Sequence, residues 1–405
     1  MGVFLPLDQS PETQPRRRRA GRQTFLPFAP PLVGEEEIAE VAATLRSGWL
    51  TTGPKTAEFE RDFAAALGAR AALALNSCTA ALHLALLALD IGEGDEVVTT
   101  PLTFAATANV IEHVRASVVL VDVEPDTLNI DPAQVAGALT PRTRAILPVH
   151  YAGHPADLDA LETLARPRGI SVIEDAAHAL PAAYRGRSIG SGENLAAFSF
   201  YATKNLTTGE GGMLTGPPEL LARARTLALH GMSHDGWARY RQGGSWRYAV
   251  EAPGYKYNMS DIQASMGVVQ LRRLDAAQQR RREIVDAYMA AFSDLDAVEL
   301  PAERADVKHA WHLFPIRLRR GALRIGRDRF IRELAEHQIG ASVHFIPVHL
   351  HPYYRERYGW RPNDFPVAAA AFQRLVSLPL SPALSDDDVA DVIDAVETLA
   401  RRWRR

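Results

Sequence analysis

Cysteine is almost absent: Cys78 is the only one in 405 residues. That excludes an intrachain disulfide framework and a cysteine-built zinc site, and it fits a reducing, cytoplasmic location. Lysine is scarce too, supplying only Lys55, Lys204, Lys256 and Lys308 among 45 basic residues. Chemistry that needs a side-chain primary amine therefore has four candidates. No apolar run approaches the ~18 residues of a membrane-spanning helix. With 45 Lys+Arg against 48 Asp+Glu and a formal net charge of -3, there is no basic excess of the kind a nucleic-acid binder carries. Neither a G-x-G-x-x-G after a strand nor a G-x-x-x-x-G-K-[ST] occurs, so dinucleotide and P-loop chemistry lack their main support.

What remains is a soluble globular chain. Residues 1–26 read as a flexible basic arm, with Arg16, Arg17, Arg18 and Arg19 in a row and no apolar h-region behind them, unlike a secretory signal. Helical spacing covers Glu35 to Ser47, Thr56 to Leu67, Thr79 to Leu89 and Asp157 to Arg166. Short apolar runs at 96–100, 117–123, 144–150, 170–174 and 196–201 have the look of parallel strands buried on both faces. The fold class is α/β: a large domain, 27–275, with a mostly parallel central sheet, then a smaller α+β domain, 276–405. One long helix is predicted from Ser260 to about Ala291. In the smaller domain the pattern predicts strands at 311–318 and 342–346 and helices at 328–337 and 386–402.

Three places carry chemistry. Lys204 follows the apolar run FSFYAT and precedes NLTTGEGG, at a strand's carboxyl end, where α/β sheets bind ligands. Partial burial there lowers an amine's pKa and makes it a Schiff-base nucleophile, though a surface lysine at a strand–loop junction has the same surroundings. Twenty-nine positions earlier, VIEDAAH ends a strand in Asp175, with His178 three residues on. A carboxylate in that place suits a ring nitrogen that must stay protonated, and a cation beside it lowers its pKa; Asp175 suits a helix N-cap as well. The turn Asn76-Ser77-Cys78-Thr79-Ala80 opens a helix whose free N–H groups hold a phosphate, or which Ser77 or Thr79 simply caps.

With these motifs the chain resembles the pyridoxal-phosphate sugar aminotransferases of the DegT/StrS type, from about Leu32 to the C-terminus. The stretches that carry the resemblance are GWLTTGPKTAEFE (48–60), NSCTAALHLAL (76–86), TPLTFAATAN (100–109), VHYAGHPADLD (149–159), EDAAHA (174–179), FSFYATKNLTTGEGG (198–212), GYKYNMSDIQAS (254–265) and SVHFIPVHLHPYYR (342–355). The resemblance implies the fold of pyridoxal-phosphate transferases of type I, with pyridoxal 5'-phosphate as cofactor and no metal. It implies Lys204 as the Schiff-base lysine, Asp175 as partner of the pyridine nitrogen, and His178 near the ring's phenolic oxygen. Phe104 would stack on the ring, and Thr79, Ala80 and Ser199 would bind the phosphate. In the family a second subunit completes the phosphate site, usually through the Asn of G-[YFH]-N, which implies a homodimer. This chain has Lys256 there and Asn258 two residues on, so either side chain is a candidate. The implied substrates are L-glutamate and a nucleotide-linked keto-sugar, most simply a dTDP- or UDP-4-keto-6-deoxyhexose aminated at C4. Amination at C3 is the alternative. A family dehydratase carries histidine in place of the lysine, and position 204 is Lys. Two readings from other classes remain open: a zinc hydrolase using His344, His349 and His351, and a non-catalytic sugar-binding regulator.

Overall fold

The computed structural model describes residues 22–233 and 247–405. Of the basic arm expected over residues 1–26, positions up to 21, Arg16 to Arg19 included, lie outside the described residues. Its last residues are seated: Leu26 is buried and bridges Ile339, and Arg22 donates to Asp388 (2.5 Å) and Asp391 (3.1 Å).

Two helices, α1 (Glu35–Ser47) and α2 (Pro54–Leu67), precede β1 (Ala72–Leu75), α3 (Cys78–Ala88), β2 (Glu96–Thr99), α4 (Ala105–His113) and β3 (Ser117–Leu120). Then come α5 (Pro132–Ala138), β4 (Thr143–Leu147), α6 (Leu158–Ala165) and β5 (Ser171–Asp175). The short strands β6 (Ala183–Tyr184) and β7 (Arg187–Ser188) lead to β8 (Leu195–Ser199), β9 (Gly212–Thr215) and α7 (Pro218–Ala228). Next are α8 (Asp261–Arg272), α9 (Leu274–Phe292), β10 (Val298–Glu299), β11 (Val307–Lys308) and β12 (Phe314–Leu318). The chain ends with α10 (Arg327–Glu336), α11 (Pro352–Tyr358), α12 (Pro366–Phe372), β13 (Leu375–Leu378) and α13 (Asp386–Arg402).

Seven strands form the central sheet in the order β1-β9-β8-β5-β4-β2-β3. The pairs β3–β2, β2–β4, β4–β5 and β5–β8 are parallel, and β9 alone runs against its neighbours β8 and β1. Period-two alternation sends Leu73, Leu75 and Ala197 into one core and Ala72, Ala74, Ala196 and Phe198 into the other, so both faces are covered. A second sheet, β10-β12-β13, is packed with α9, α10 and α13 around Phe314, Ile316, Val376 and Leu378. Helix α13 is fixed by a Ser385–Asp388 capping box, with Asp386 to Asp388 in its first turn and Arg401 and Arg402 in its last.

Two expectations need correction. The helix predicted from 260 to 291 is two helices, because the chain leaves the helical path at Arg273, with φ −98 and ψ 0. Ala264 and Val268 of α8 are buried in the large-sheet core, whereas Ile284, Tyr288 and Phe292 of α9 are buried in the second core. A straight rod does not serve both. The predicted strand at 342–346 is reduced to one bridge, Ser342 to Ser377. Its His344 carbonyl accepts from the Tyr151 hydroxyl (2.6 Å) instead of from a neighbouring strand. Among the described residues no helix is long and apolar enough to cross a membrane.

Candidate active site

Four connections, those after β5, β8, β1 and β2, converge at the carboxyl ends of the parallel strands. Strand β5 ends on Asp175 and β8 on Ser199, followed by a turn in which the Lys204 N–H donates to the Tyr201 carbonyl (2.9 Å). After β1, Ser77 caps α3 by accepting the Ala80 N–H at 3.1 Å. After β2, Phe104 is the residue preceding α4, its side chain 62% exposed. Gly212 opens β9 against this turn: a Cβ there would stand 2.4 Å from the Ser77 carbonyl carbon and 2.5 Å from the Cys78 nitrogen. Backbone on both sides leaves nothing to yield. Gly212→Ala is therefore expected to destabilise by about 1–3 kcal/mol, read as a fall in the denaturant midpoint, and to disturb the start of α3.

Asp175 is buried. Its Oδ2 accepts from the Thr107 hydroxyl (2.8 Å) and its Oδ1 from the Ala177 N–H (3.1 Å). Burial is the largest influence on its carboxyl and raises its pKa, against those two hydrogen bonds and the nearby Lys204. Within the chain itself, removal from water outweighs the favourable charge of Lys204. Thr107, itself buried and bonded to Thr103 (2.7 Å), was missed in the sequence. The only signal was two threonines at helical spacing in TFAAT.

Removal from water also acts on Lys204 and brings it down from the ordinary 10.5 to about 8, partly offset by Cys78 and Asp175. The two sequence-named groups, Lys204 and Asp175, thus act on one another's charge. Burial pushes the Cys78 thiol well up, and its Sγ points to the Ala197 carbonyl (3.4 Å), which disfavours the thiolate that a nucleophilic role requires.

Three imidazoles lie within reach of the amine's charge. His178 is buried, its Nδ1 has no hydrogen-bond partner, and burial with Lys204 nearby holds it well below 6.5. His312 lies 4.4 Å from it, ring to ring, and is held well below 6.5 for the same reasons. His344 is brought to about 4 by burial, and its Nδ1 meets Ser377 Oγ at 2.9 Å. Asn205 sets one tautomer. Its amide nitrogen donates to the carbonyls of Leu180 and Ala310, both at 2.8 Å, so its oxygen must accept, and His312 Nδ1 stands 3.2 Å away. His312 therefore carries its proton on Nδ1 and leaves Nε2 as an acceptor. Neither Asn205 nor His312 was legible as a pair, being 107 positions apart.

Lys256 is exposed, and its Nζ donates to Asn258 Oδ1 (2.6 Å). Asn258 Nδ2 donates to Thr52 Oγ1 (2.6 Å), which donates to the Met259 carbonyl (2.5 Å). The zinc alternative is not assembled. Among the described residues no group of three His, Cys, Asp or Glu side chains comes together around a metal position, and His349 is packed on Phe365 (4.8 Å).

The donor set fits pyridoxal phosphate. An amine near its working pKa is coupled in charge to a buried carboxylate, a neutral imidazole has an unpartnered buried nitrogen, and an exposed aromatic ring and a helix N-terminus follow other strands of the same sheet.

Comparison with known proteins agrees. Residues 31–397 match the DegT/DnrJ/EryC1/StrS aminotransferase family. The chain is 52% identical over 382 residues to the spore coat polysaccharide biosynthesis protein SpsC of Bacillus subtilis, covering 94% of this chain and 98% of that one. It superposes on the putative sugar aminotransferase Spr1654 of Streptococcus pneumoniae in its PMP form with a TM-score of 0.87 at 37% identity, over 93% and 99% of the two chains. DesV of S. venezuelae gives a TM-score of 0.85 at 36% identity, over 93% and 100%. The chain therefore belongs to the DegT/DnrJ/EryC1/StrS aminotransferase family, whose members depend on pyridoxal phosphate.

Proposed function

We propose that this enzyme moves the amino group of L-glutamate onto the keto carbon of a nucleotide-linked sugar, C4 of a dTDP- or UDP-4-keto-6-deoxyhexose, in a ping-pong sequence. The observation that carries this reading is one buried amine, Lys204, at about 8 and in charge contact with Asp175. Bound pyridoxal phosphate supplies a carbonyl that carries the amino group and a ring that accepts electrons.

The chain's own groups do the rest. Lys204 Nζ, unprotonated at mildly alkaline pH, adds to a carbonyl and later accepts or returns a proton. Asp175 would hold the protonated ring nitrogen, whose cation would restore the charge that burial disfavours. Phe104, with its exposed ring, would cover one face of the bound group and keep water away, and His178, held neutral by burial, would stand near its phenolic oxygen. Ser77 Oγ already takes the Ala80 N–H, so Thr79 and the Ser199 hydroxyl are the better placed of the phosphate groups.

A homodimer with shared sites follows from the same reading. The hydrogen-bond chain through Thr52 and Asn258 favours Lys256 over Asn258 as the group that reaches a partner's phosphate. Asn258 keeps one amide N–H after its bond to Thr52, while the Lys256 ammonium keeps two N–H groups and brings a full positive charge to a phosphate. The division into 27–275 and 276–405 rests on the sequence pattern: Ile284, Tyr288, Phe314 and Val396 share one core, whereas Leu313, Val348, Tyr354 and Phe365 are buried in the large-sheet core; the single cysteine suits a cytoplasmic enzyme.

Two experiments bear on this. Purified enzyme, glutamate and a panel of nucleotide keto-sugars are expected to yield 2-oxoglutarate and a C4-aminated sugar, identified by NMR; no aminated sugar from any 4-keto substrate contradicts the reading. His312→Asn, which reproduces only the Nδ1 contact, is expected to lower kcat about 100-fold. His312→Gln, which returns an acceptor near Nε2, is expected to recover most of that loss in the same assay.

A further inference from the structure

Beside the Lys204 loop lies a cavity of about 150 Å³, walled by Pro31, Thr203, Thr207, Ala277, Arg281 and Pro382. Lys204 borders it, but Asp175, His178, Phe104 and Ser199 do not, so it is separate from the pocket assigned to the cofactor. Arg281 of α9 is only 2% exposed. Its Nη1 donates to the carbonyls of Trp311 (3.4 Å) and Leu380 (3.2 Å), and its Nε has no acceptor.

Two other arginines border the cavity, and each has its acid. Arg273 pairs with Glu37 (3.1 Å), and Arg280 with Asp386 (2.7 Å) and Glu283 (3.3 Å). Burial alone acts on Arg281 and brings it down to about 10, with no carboxylate among the influences on it. A buried cation left with two long carbonyl contacts is an unfavourable arrangement that an anion relieves. The planar guanidinium fork matches a carboxylate, and the space suits a few heavy atoms, far too few for a nucleotide sugar.

We propose that this cavity is a binding site for a small carboxylate, held by Arg281 against the proline and alanine walls. The site reaches the reaction through His312, on which the Arg281 charge acts and which Asn205 ties to the Lys204 loop. A carboxylate on Arg281 cancels part of that charge, so occupancy changes the protonation balance beside Lys204.

Sodium acetate is the probe. The melting temperature of the holoenzyme is expected to rise saturably by about 2–4 °C with acetate. Arg281→Met, which keeps the side chain's length without its charge, is expected to lose that rise. Ala277→Leu fills the cavity from one turn earlier on the same face of α9 and leaves the Arg281 side chain in the sequence, which keeps the test usable if the Met variant does not fold; it too is expected to lose the rise while retaining amine exchange. No saturable rise in the unaltered enzyme means the cavity holds water only. An equal rise in either variant means an adventitious ion only. Either result overturns the proposal.

Discussion

Lys204→Ala is expected to lower amine exchange with glutamate by roughly 10⁴-fold, because the group that both adds to a carbonyl and carries the proton is gone. Lys55, Lys256 and Lys308 offer no substitute: Lys55 is engaged by Glu40 and Glu58, Lys256 by Asn258, and Lys308 is exposed on a short edge ribbon. The melting temperature is expected to hold or rise, since the change removes an amine that burial disfavours. In the unaltered enzyme, freed of its cofactor, carbonyl capture is expected to follow the free amine. The rate rises with pH up to a midpoint near 8 and levels off above it. At pH 7 an amine at about 8 is some 200-fold more deprotonated than an ordinary lysine near 10.4. Stopped-flow absorbance during readdition of pyridoxal phosphate reads the profile. A midpoint near 10 contradicts the electrostatic account even if Lys204 proves to be the site.

Asp175→Asn carries the second large effect, a loss of roughly 10³-fold in the rate of amine exchange. The substitution keeps the shape and removes the charge. It also leaves one of two fixed donors, the Thr107 hydroxyl or the Ala177 N–H, facing an amide NH₂ in place of an oxygen. Cofactor binding is expected to survive in weakened form, so that the loss falls on kcat in single-turnover absorbance traces with glutamate. Activity within about tenfold of the unaltered enzyme contradicts the role given to this carboxylate.

Local chemistry made much of the architecture legible. Helix α13 starts at a Ser385 cap with three acids behind it and ends in arginines, and its bounds coincide with those read from the pattern. The parallel strands announced themselves as short apolar runs because both of their faces are covered. Other elements gave no such signal. Strand β1 is ALAL, four good helix formers that become a strand only because β9 pairs with it. The reversal of β9 between β1 and β8 is a property of the assembled sheet and leaves no mark in GMLT. The break at Arg273 was invisible for a related reason: both flanking segments are helical, and only the existence of two cores requires a bend.

At the site, the groups that act on ligand atoms stood out by residue type. Lys204 is one of four lysines, and Asp175 closes an apolar run. Their supports did not. Thr107 matters only because α4 points it at Asp175, and Asn205 only because two carbonyls and His312 converge on one amide. The burial that raises the Asp175 carboxyl was not legible either, because a sequence reveals the partner of a charge more readily than its removal from water.

Borohydride reduction of the holoenzyme, followed by peptide mass mapping, tests the central assignment most directly. The expected result is a single pyridoxyl adduct on the peptide that contains Lys204. An adduct on Lys55, Lys256 or Lys308 in its place, or none on an enzyme that still exchanges amine, would contradict it.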